Sequence, residues 1–416
     1  MEVSQVFHTE EFANGLTLVA ESVADVSSSA ITISLPAGVR FDPEGYAGSA
    51  AVLAEWCFRG AGSRDTRGLN DALDALGCQH HENVLSHHMV FSATQLGRNL
   101  PAVLEILTDV LRRPRLDDQT FAPSRDLVRQ DLDALEDEPA RKAIMQLRDK
   151  FYPHPLGRGL YGTPESLAAL SAEGLRAHGA DCMSPAGAII SVAGKFDWDR
   201  LRDLVGEYLG DWSVDAPIAS EIKPPERGVT HVSKDSAQAH ITLAHETVKL
   251  SDDQYYASRL GSTVLSGGMS SRLFTEVREK RGLVYHVSSS YHSLKDYAGM
   301  FTYAGTVPQK AQETLEVTVG ELRRVAEDIT HAELAKAKTQ LKSSLVMQGE
   351  STGARAGAIS SDWYHLKRLR SLTEISQAVD AVTIDDVKEH LQQWPARDFS
   401  MLVIGPEPLD TSCLTL

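Results

Sequence analysis

Apolar and polar positions alternate in LTLVAESV (16–23) and again in SSAITISL (28–35), both rich in β-branched residues. A period of two places one set of side chains on each face of a strand. Asn14-Gly15 precedes the first of these stretches and predicts a hairpin turn. The pattern then changes to helical spacing in GSAAVLAEWCFRGAG (48–62), closed by Gly60 and Gly62, and in RGLNDALDALG (67–77), stopped by Gly77. NVLSHHMVFSATQL (83–96) reads as one strand, and NLPAVLEILTDVLRRP (99–114) as an amphipathic helix. The run 123–152 reads as a long amphipathic helical stretch, with a further helix over 165–182. GAIISVAGKF (187–196) predicts a buried strand, and 197–212 a helix.

The pattern breaks at SVDAPIASEIKPPER, residues 213–227, which is polar and contains three prolines. This stretch is the expected linker. Beyond it the same order of signals returns: strands over 231–248, helices over 252–268 and 271–282, and strands over 283–294 and 300–307. Helices follow over 309–328, 331–351 and 362–382, and FSMLVIGP (399–406) closes the chain as GAIISVAGKF closes the first half. The expected organisation is α+β, with one domain over 1–212 and a second over 228–416. The likeness between the halves lies in the order of elements, and its period is too long for a solenoid.

Composition changes this picture little. The chain has 416 residues, 42% hydrophobic and 24% charged, an ordinary globular balance. Its net charge of −16 argues against a general nucleic-acid or anionic-membrane surface. No stretch approaches the ~20 apolar residues of a membrane span. The opening residues lack the basic and apolar regions of a secretory signal. Cys57, Cys78, Cys182 and Cys413 are scattered singly, so neither a disulfide framework nor a cysteine zinc cage is expected. The expected location is the reducing cytoplasm.

The most specific string is GGMSSRLFTEVREKRGLVY, residues 267–285. Leu273, Phe274 and Val277 make an apolar helical stripe, Gly282 ends the helix, and Tyr285 opens the next strand. Two readings follow. Arg278 caps the helix C-terminus and Tyr285 is an interfacial aromatic, or both project into one cleft across the helix-to-strand turn. Of the 15 histidines, none completes an H-E-x-x-H or H-x-x-E-H pattern. Position 85 after His81-Glu82 is Leu, and position 249 after His245-Glu246 is Lys. His80, His81, His87 and His88 could share a metal only if the strand bends sharply near Asn83. On a straight strand His80 and His88 stand about 26 Å apart. Cys57 reads as a buried small hydrophobe, the SGGMSS segment lacks a nucleophile-elbow context, and Lys280-Arg281 reads as a solvated face.

The 267–285 string resembles the second-half signature of the pitrilysin/insulinase-type zinc peptidases, relatives of the core subunits of respiratory complexes and of mitochondrial processing peptidase. The resemblance runs from about Asn14 to Pro406 through GVRFDPEGYAGSA (38–50), FRGAGSRDTRGLNDALDALG (58–77), FYPHPLGRGLYGTPESL (151–167) and FSMLVIGPEP (399–408). It implies two halves, each a mostly antiparallel sheet backed by helices, forming half of a clamshell. It also implies that Arg278 and Tyr285 contact substrate near the scissile bond. Active members carry H-x-x-E-H on the helix before the Phe-(Lys/Arg)-Gly turn, with the Glu activating a zinc-bound water. Anchored on Phe58-Arg59-Gly60, the two His positions hold Ala51 and Glu55, and the general-base position holds Ala54. Asp131 is the counterpart of the family's third ligand. No metal is therefore expected on this chain. The combination is similar to the zinc-less subunit of the bacterial heterodimeric type, whose partner carries H-x-x-E-H and the zinc, with a peptide or unfolded segment as substrate. The alternative from a different class is a structural or peptide-binding member with no catalytic partner.

Overall fold

The computed structural model of the chain describes residues 5–415 and divides into two compact units. The first is built from the chain up to Ala134, Arg158–Ile222 and Gln348–Ser371. The second is built from Leu135–Gly157, Lys223–Met347 and the chain from Leu372.

The first unit holds β1 (Gln5–Glu11), β2 (Thr17–Val23) and β3 (Ser28–Leu35), a short hairpin of β4 (Gly60–Ala61) and β5 (Arg64–Asp65), then β6 (Gln79–Val84), β7 (Met89–Leu96) and β8 (Ile189–Gly194). Six of these strands form one sheet in the order β1-β2-β8-β3-β7-β6. The second unit holds β9 (Val229–Ser233), β10 (Ala239–Glu246), β11 (Val284–Ser293), β12 (Ala298–Thr306) and β13 (Ser400–Gly405) in the order β11-β12-β10-β13-β9. Read from β2 to β6, the first sheet repeats the second strand for strand. In both, one pair is parallel, β2 with β8 and β9 with β13, and the rest are antiparallel. The repeated order of signals along the chain is thus a repeated topology, an α+β fold with two helix-backed sheets.

The central strands β3, β8, β10, β12 and β13 are buried along nearly their whole length. A strand covered on both faces needs helices on both faces. In each unit one cover comes from the other half of the sequence. The Thr352–Leu366 helix sets Ala356, Ile359 and Trp363 against Val19, Ala30, Ile189 and Ala193 of the first sheet. Its Arg355 makes a buried two-pronged ion pair with Glu21 of β2, at 2.9 and 2.6 Å. The Pro139–Phe151 helix sets Ala143, Leu147 and Phe151 against Ala244, Phe301, Leu402 and Ile404 of the second sheet.

The units are therefore not the contiguous stretches 1–212 and 228–416 expected from the pattern. Residues 213–227 form no helix or strand, and the chain changes unit at Ile222/Lys223. The helical run 123–152 is cut into Asp118–Ala134 and Pro139–Phe151. Pro139 has no N–H to continue a helix and pushes Glu138 out of the helical region, to φ −116°, ψ 62°. The expected single strand over 83–96 is the β6–β7 hairpin. Its turn closes where the Leu85 N–H donates to the His88 carbonyl at 2.7 Å. No Gly, Pro or Asn-Gly marks that turn. No helix among the described residues is long and apolar enough to cross a membrane.

Candidate functional site

Two places carry the residues singled out by sequence, one in each unit. In the second unit Leu273, buried with Val277, anchors the helical segment that precedes β11. Within it the Lys280 N–H reaches back five residues to the Thr275 carbonyl, at 2.9 Å, so the turn over Phe274–Glu279 is wider than α. It ends at Gly282, φ 59°, where the Gly282 and Leu283 N–H groups donate to the carbonyls of Arg278 and Val277 at 3.0 Å. Backbone groups thus satisfy these terminal carbonyls. The Arg278 guanidinium instead lies over the Phe274 ring, 4.8 Å from its centroid, and is exposed. Nearby Lys280 and Arg281 are tied to Glu276 at 2.7 and 3.0 Å. Arg278 makes no ion pair among the described residues.

Val284 of β11 faces Thr306 of β12 and His286 faces Gly305, leaving Tyr285 as the extra residue of a bulge. The bulge resets the alternation, so Tyr285 and His286 are both exposed between buried Val284 and Val287. Tyr285 is 64% exposed, and its hydroxyl has no hydrogen-bond partner among the described residues. β11 is an edge strand of its sheet. A cation and a phenol, both free to donate, stand beside an open strand edge.

In the first unit the Ser49–Cys57 helix is fastened at its start by buried Asp42, which accepts from the Gly48 and Ala50 N–H groups at 2.8 Å each. Burial pushes the Asp42 carboxyl up to about 7. Ala51 and Ala54 are buried, Ala54 to 2% exposure, and pack in the core. Glu55 is ion-paired with Arg59, one turn on. Beside it stands Glu82 of β6, whose carboxyl is pushed up by burial and by the Glu55 charge it meets. Asp131 is exposed on the Asp118–Ala134 helix and makes no ion pair among the described residues. Zinc in such proteins is held by imidazole, thiolate and carboxylate donors. Here positions 51 and 54 offer a methyl group, the Glu55 carboxylate is taken by Arg59, and Asp131 adds one carboxylate with no imidazole beside it. This donor set does not fit zinc. The Glu55–Glu82 contact was not legible in the sequence, because it depends on β6 lying against this helix.

The hairpin does not gather the histidines. His80 and His81 sit opposite Ala93 and Ser92, several rungs from the turn that holds His87 and His88. His80 stacks on Phe58, 4.8 Å between centroids, and His88 meets the Tyr364 ring at 4.4 Å. Among the described residues no three His, Cys, Asp or Glu side chains converge as a metal site. Cys57, Cys78 and Cys182 are buried free thiols.

Comparison with known proteins extends this geometry. Residues 17–164 match the family model described as insulinase (peptidase family M16), and residues 169–341 match the model described as peptidase M16 inactive domain. An uncharacterized zinc protease of Mycobacterium tuberculosis is 29% identical over 405 residues, covering 94% of this chain and 91% of that protein. The uncharacterized zinc protease YmxG of Bacillus subtilis is 28% identical over 400 residues, covering 94% and 97%. The crystal structure of a peptidase M16 inactive domain from Pseudomonas fluorescens superposes with a TM-score of 0.88 at 19% identity, covering 98% of this chain and 99% of that one. A protease from Helicobacter pylori has the same fold, with a TM-score of 0.88 at 19% identity over 97% of this chain and 100% of that one.

Proposed function

Because the chain belongs to the insulinase-type peptidase family M16, we propose that it is the zinc-less subunit of a two-chain metallopeptidase. A partner carrying H-x-x-E-H holds the zinc, and this chain presents Arg278 and Tyr285 to the substrate. The observation that carries this reading is an asymmetry between the two candidate sites. The metal positions Ala51, Ala54 and Glu55 are absorbed into packing and an internal ion pair. Arg278 and Tyr285 are exposed and form no ion pair or side-chain hydrogen bond among the described residues.

The chemistry of the pair suits acyl transfer from a peptide. A guanidinium and a phenol held beside a strand edge donate hydrogen bonds to a carbonyl oxygen, and more strongly to the charge that develops on it in the transition state. An extended peptide or unfolded segment added along β11 is the substrate this edge favours. The proposed location is the cytoplasm.

The test is purification from the native cell, followed by reconstitution. A chain of similar length carrying H-x-x-E-H should accompany this one. The recombined pair should cleave peptides in a zinc-dependent way, while the isolated chain binds less than stoichiometric zinc and is inert. Chelator-sensitive cleavage by the homogeneous chain alone would overturn the reading. Absence of any such partner would favour a structural or peptide-binding member of the family.

A further inference from the structure

The bulge that carries Tyr285 is held from both faces of its sheet. On the face toward the helical core, Val284 and Val287 are buried, and the Thr306 hydroxyl donates to the Leu283 carbonyl. On the opposite face β11 presents His286, whose cross-strand partner on β12 is Gly305. Gly305 is also the partner of His240 on β10, and His240 points away from the core that holds its neighbours Ala239 and Ile241. One rung thus runs His240–Gly305–His286 across three strands, with an imidazole at each end and a gap between them.

The gap is filled from two residues along the strand. Tyr303 shares the face of Gly305 and leans over it, so that a methyl carbon placed on Gly305 would stand 2.6 Å from the phenol oxygen. The three atoms nearest that carbon all belong to Tyr303. Gly305 does not have a positive φ, so what its missing side chain provides is room. The phenol oxygen lies 2.8 Å from His240 Nδ1, a hydrogen bond to an imidazole that burial holds below its usual pKa and therefore neutral near pH 7. On its other side the Tyr303 ring lies 5.8 Å from the His286 ring, centroid to centroid, tilted by 37°. His240 and Tyr303 are buried and His286 is exposed. His286 makes no side-chain hydrogen bond among the described residues, so the Tyr303 ring is the contact that steadies it.

A hydrogen bond on a sheet face stabilises the sheet wherever it lies. This one ends beside a bulge, and a bulge aims the side chain it carries. The direction of Tyr285 depends on where the residues on either side of it are held. Thr306 fixes the chain before the bulge, and the Tyr303 ring backs the residue after it. The aim matters because a donor misplaced by about 1 Å gives up much of its effect on a transition state. Taking Arg278 and Tyr285 as the substrate-facing pair, we propose that Tyr303, fixed by His240 in the room left by Gly305, is a positioning residue that props His286 and so sets the direction of the Tyr285 hydroxyl.

The experiment is a double-mutant cycle on the reconstituted pair. A methyl group at 305 meets the end of the Tyr303 ring first, so Gly305→Ala should fold and shift the phenol. Tyr303→Phe keeps the ring and removes the bond to His240. With equal amounts of folded complex, each variant should lower kcat/KM about tenfold, as for a misaligned catalytic group. In the Tyr285→Phe background neither should lower it by more than about twofold, because the hydroxyl they aim is gone. A role in stability alone would cost the same in both backgrounds. The isolated chain gives a second readout, by NMR of protein isotope-labelled in its tyrosine rings. The Tyr285 signal, assigned by its loss in Tyr285→Phe, should shift in Gly305→Ala. Equal losses in both backgrounds, no loss in either variant, or an unmoved Tyr285 signal would overturn the proposal. A wild-type pair without zinc-dependent cleavage would overturn the two-chain reading, and the positioning role with it, even where the Tyr285 signal moves.

Discussion

Among the described residues Arg278 and Tyr285 differ from the charged and aromatic residues around them in making no ion pair or side-chain hydrogen bond, Arg278 touching only the Phe274 ring. Lys280 and Arg281 neutralise Glu276, and Tyr291 donates to the Val248 carbonyl at 3.0 Å. Removing the Tyr285 hydroxyl should therefore leave thermal stability unchanged, and removing Arg278 should cost no more than about 0.5–1 kcal/mol, the worth of its exposed contact with Phe274. In the reconstituted pair, Arg278→Ala and Tyr285→Phe should each lower kcat/KM by about 10²–10³-fold, the usual cost of one oxyanion donor, with partner zinc content unchanged. Measurements on equal amounts of folded complex decide this, and unchanged kcat/KM in both variants would remove the two residues from the site. Their seven-residue spacing was legible in the sequence. What separates the capping role from the exposed one was not, because it lies in the backbone hydrogen bonds at Gly282 and in the bulge at Tyr285. The loss of imidazole at 51 and 55 needed no structure, whereas the Glu82 carboxyl beside Glu55 did.

At the scale of elements, the Thr352–Leu366 helix has one ion pair within a mostly apolar seam, besides the Ser360–Ser34 hydroxyl contact at 3.1 Å. Arg355 and Glu21 are both buried and satisfy each other. Arg355→Ala would leave the buried Glu21 carboxylate with no cation and only the Gln5 amide donating to it, at 2.6 Å, and should destabilise the chain by about 3 kcal/mol. Urea unfolding measures this. The double variant Arg355→Met with Glu21→Gln should recover most of the loss, since it removes both charges together. An Arg355→Ala variant as stable as wild type would show the helix to be held by Ala356, Ile359 and Trp363 alone. The sequence pattern placed helices over 331–351 and 362–382 and left 352–361 unassigned, whereas the structure has helices over Thr352–Leu366 and Leu372–Ala381; even a helical stripe does not state which sheet it covers.

For the molecule as a whole, two consequences follow from what is buried where. His245, His292 and His390 of the second unit are held down to about 4, 3 and 4 chiefly by burial. An unfolded imidazole takes up its proton near 6.5. Between pH 6.5 and 4 the unfolded chain therefore binds more protons than the folded one, and stability falls as pH falls, by up to about 1.4 kcal/mol per pH unit for each imidazole. In the first unit Asp42, near 7, acts in the opposite sense as the pH falls from 7 toward 4, and His178, near 4, offsets it. The urea midpoint should drop between pH 7 and 5, and His292→Gln should make the slope shallower. A midpoint independent of pH across that window would contradict the burial of these rings as neutral groups. The second consequence concerns fragments. Residues 1–212 alone lack the helix that covers Val19 and Ile189, so that fragment should aggregate or bind a hydrophobic dye. Adding a peptide of residues 348–371 should relieve this, and a monomeric, dye-silent fragment without it would contradict the exchanged-helix architecture. The sequence by itself determined the α+β class, the doubled order of elements, the family likeness and the missing zinc ligands, because each depends on local periodicity or on the presence of a side chain at a motif position. Only the tertiary structure decided that the units are interleaved along the chain, that His80 and His81 stay apart from His87 and His88, and that Glu82 lies beside Glu55. Those outcomes depend on which distant segments share a buried surface, and hydrophobic burial is indifferent to where along the chain its partner lies.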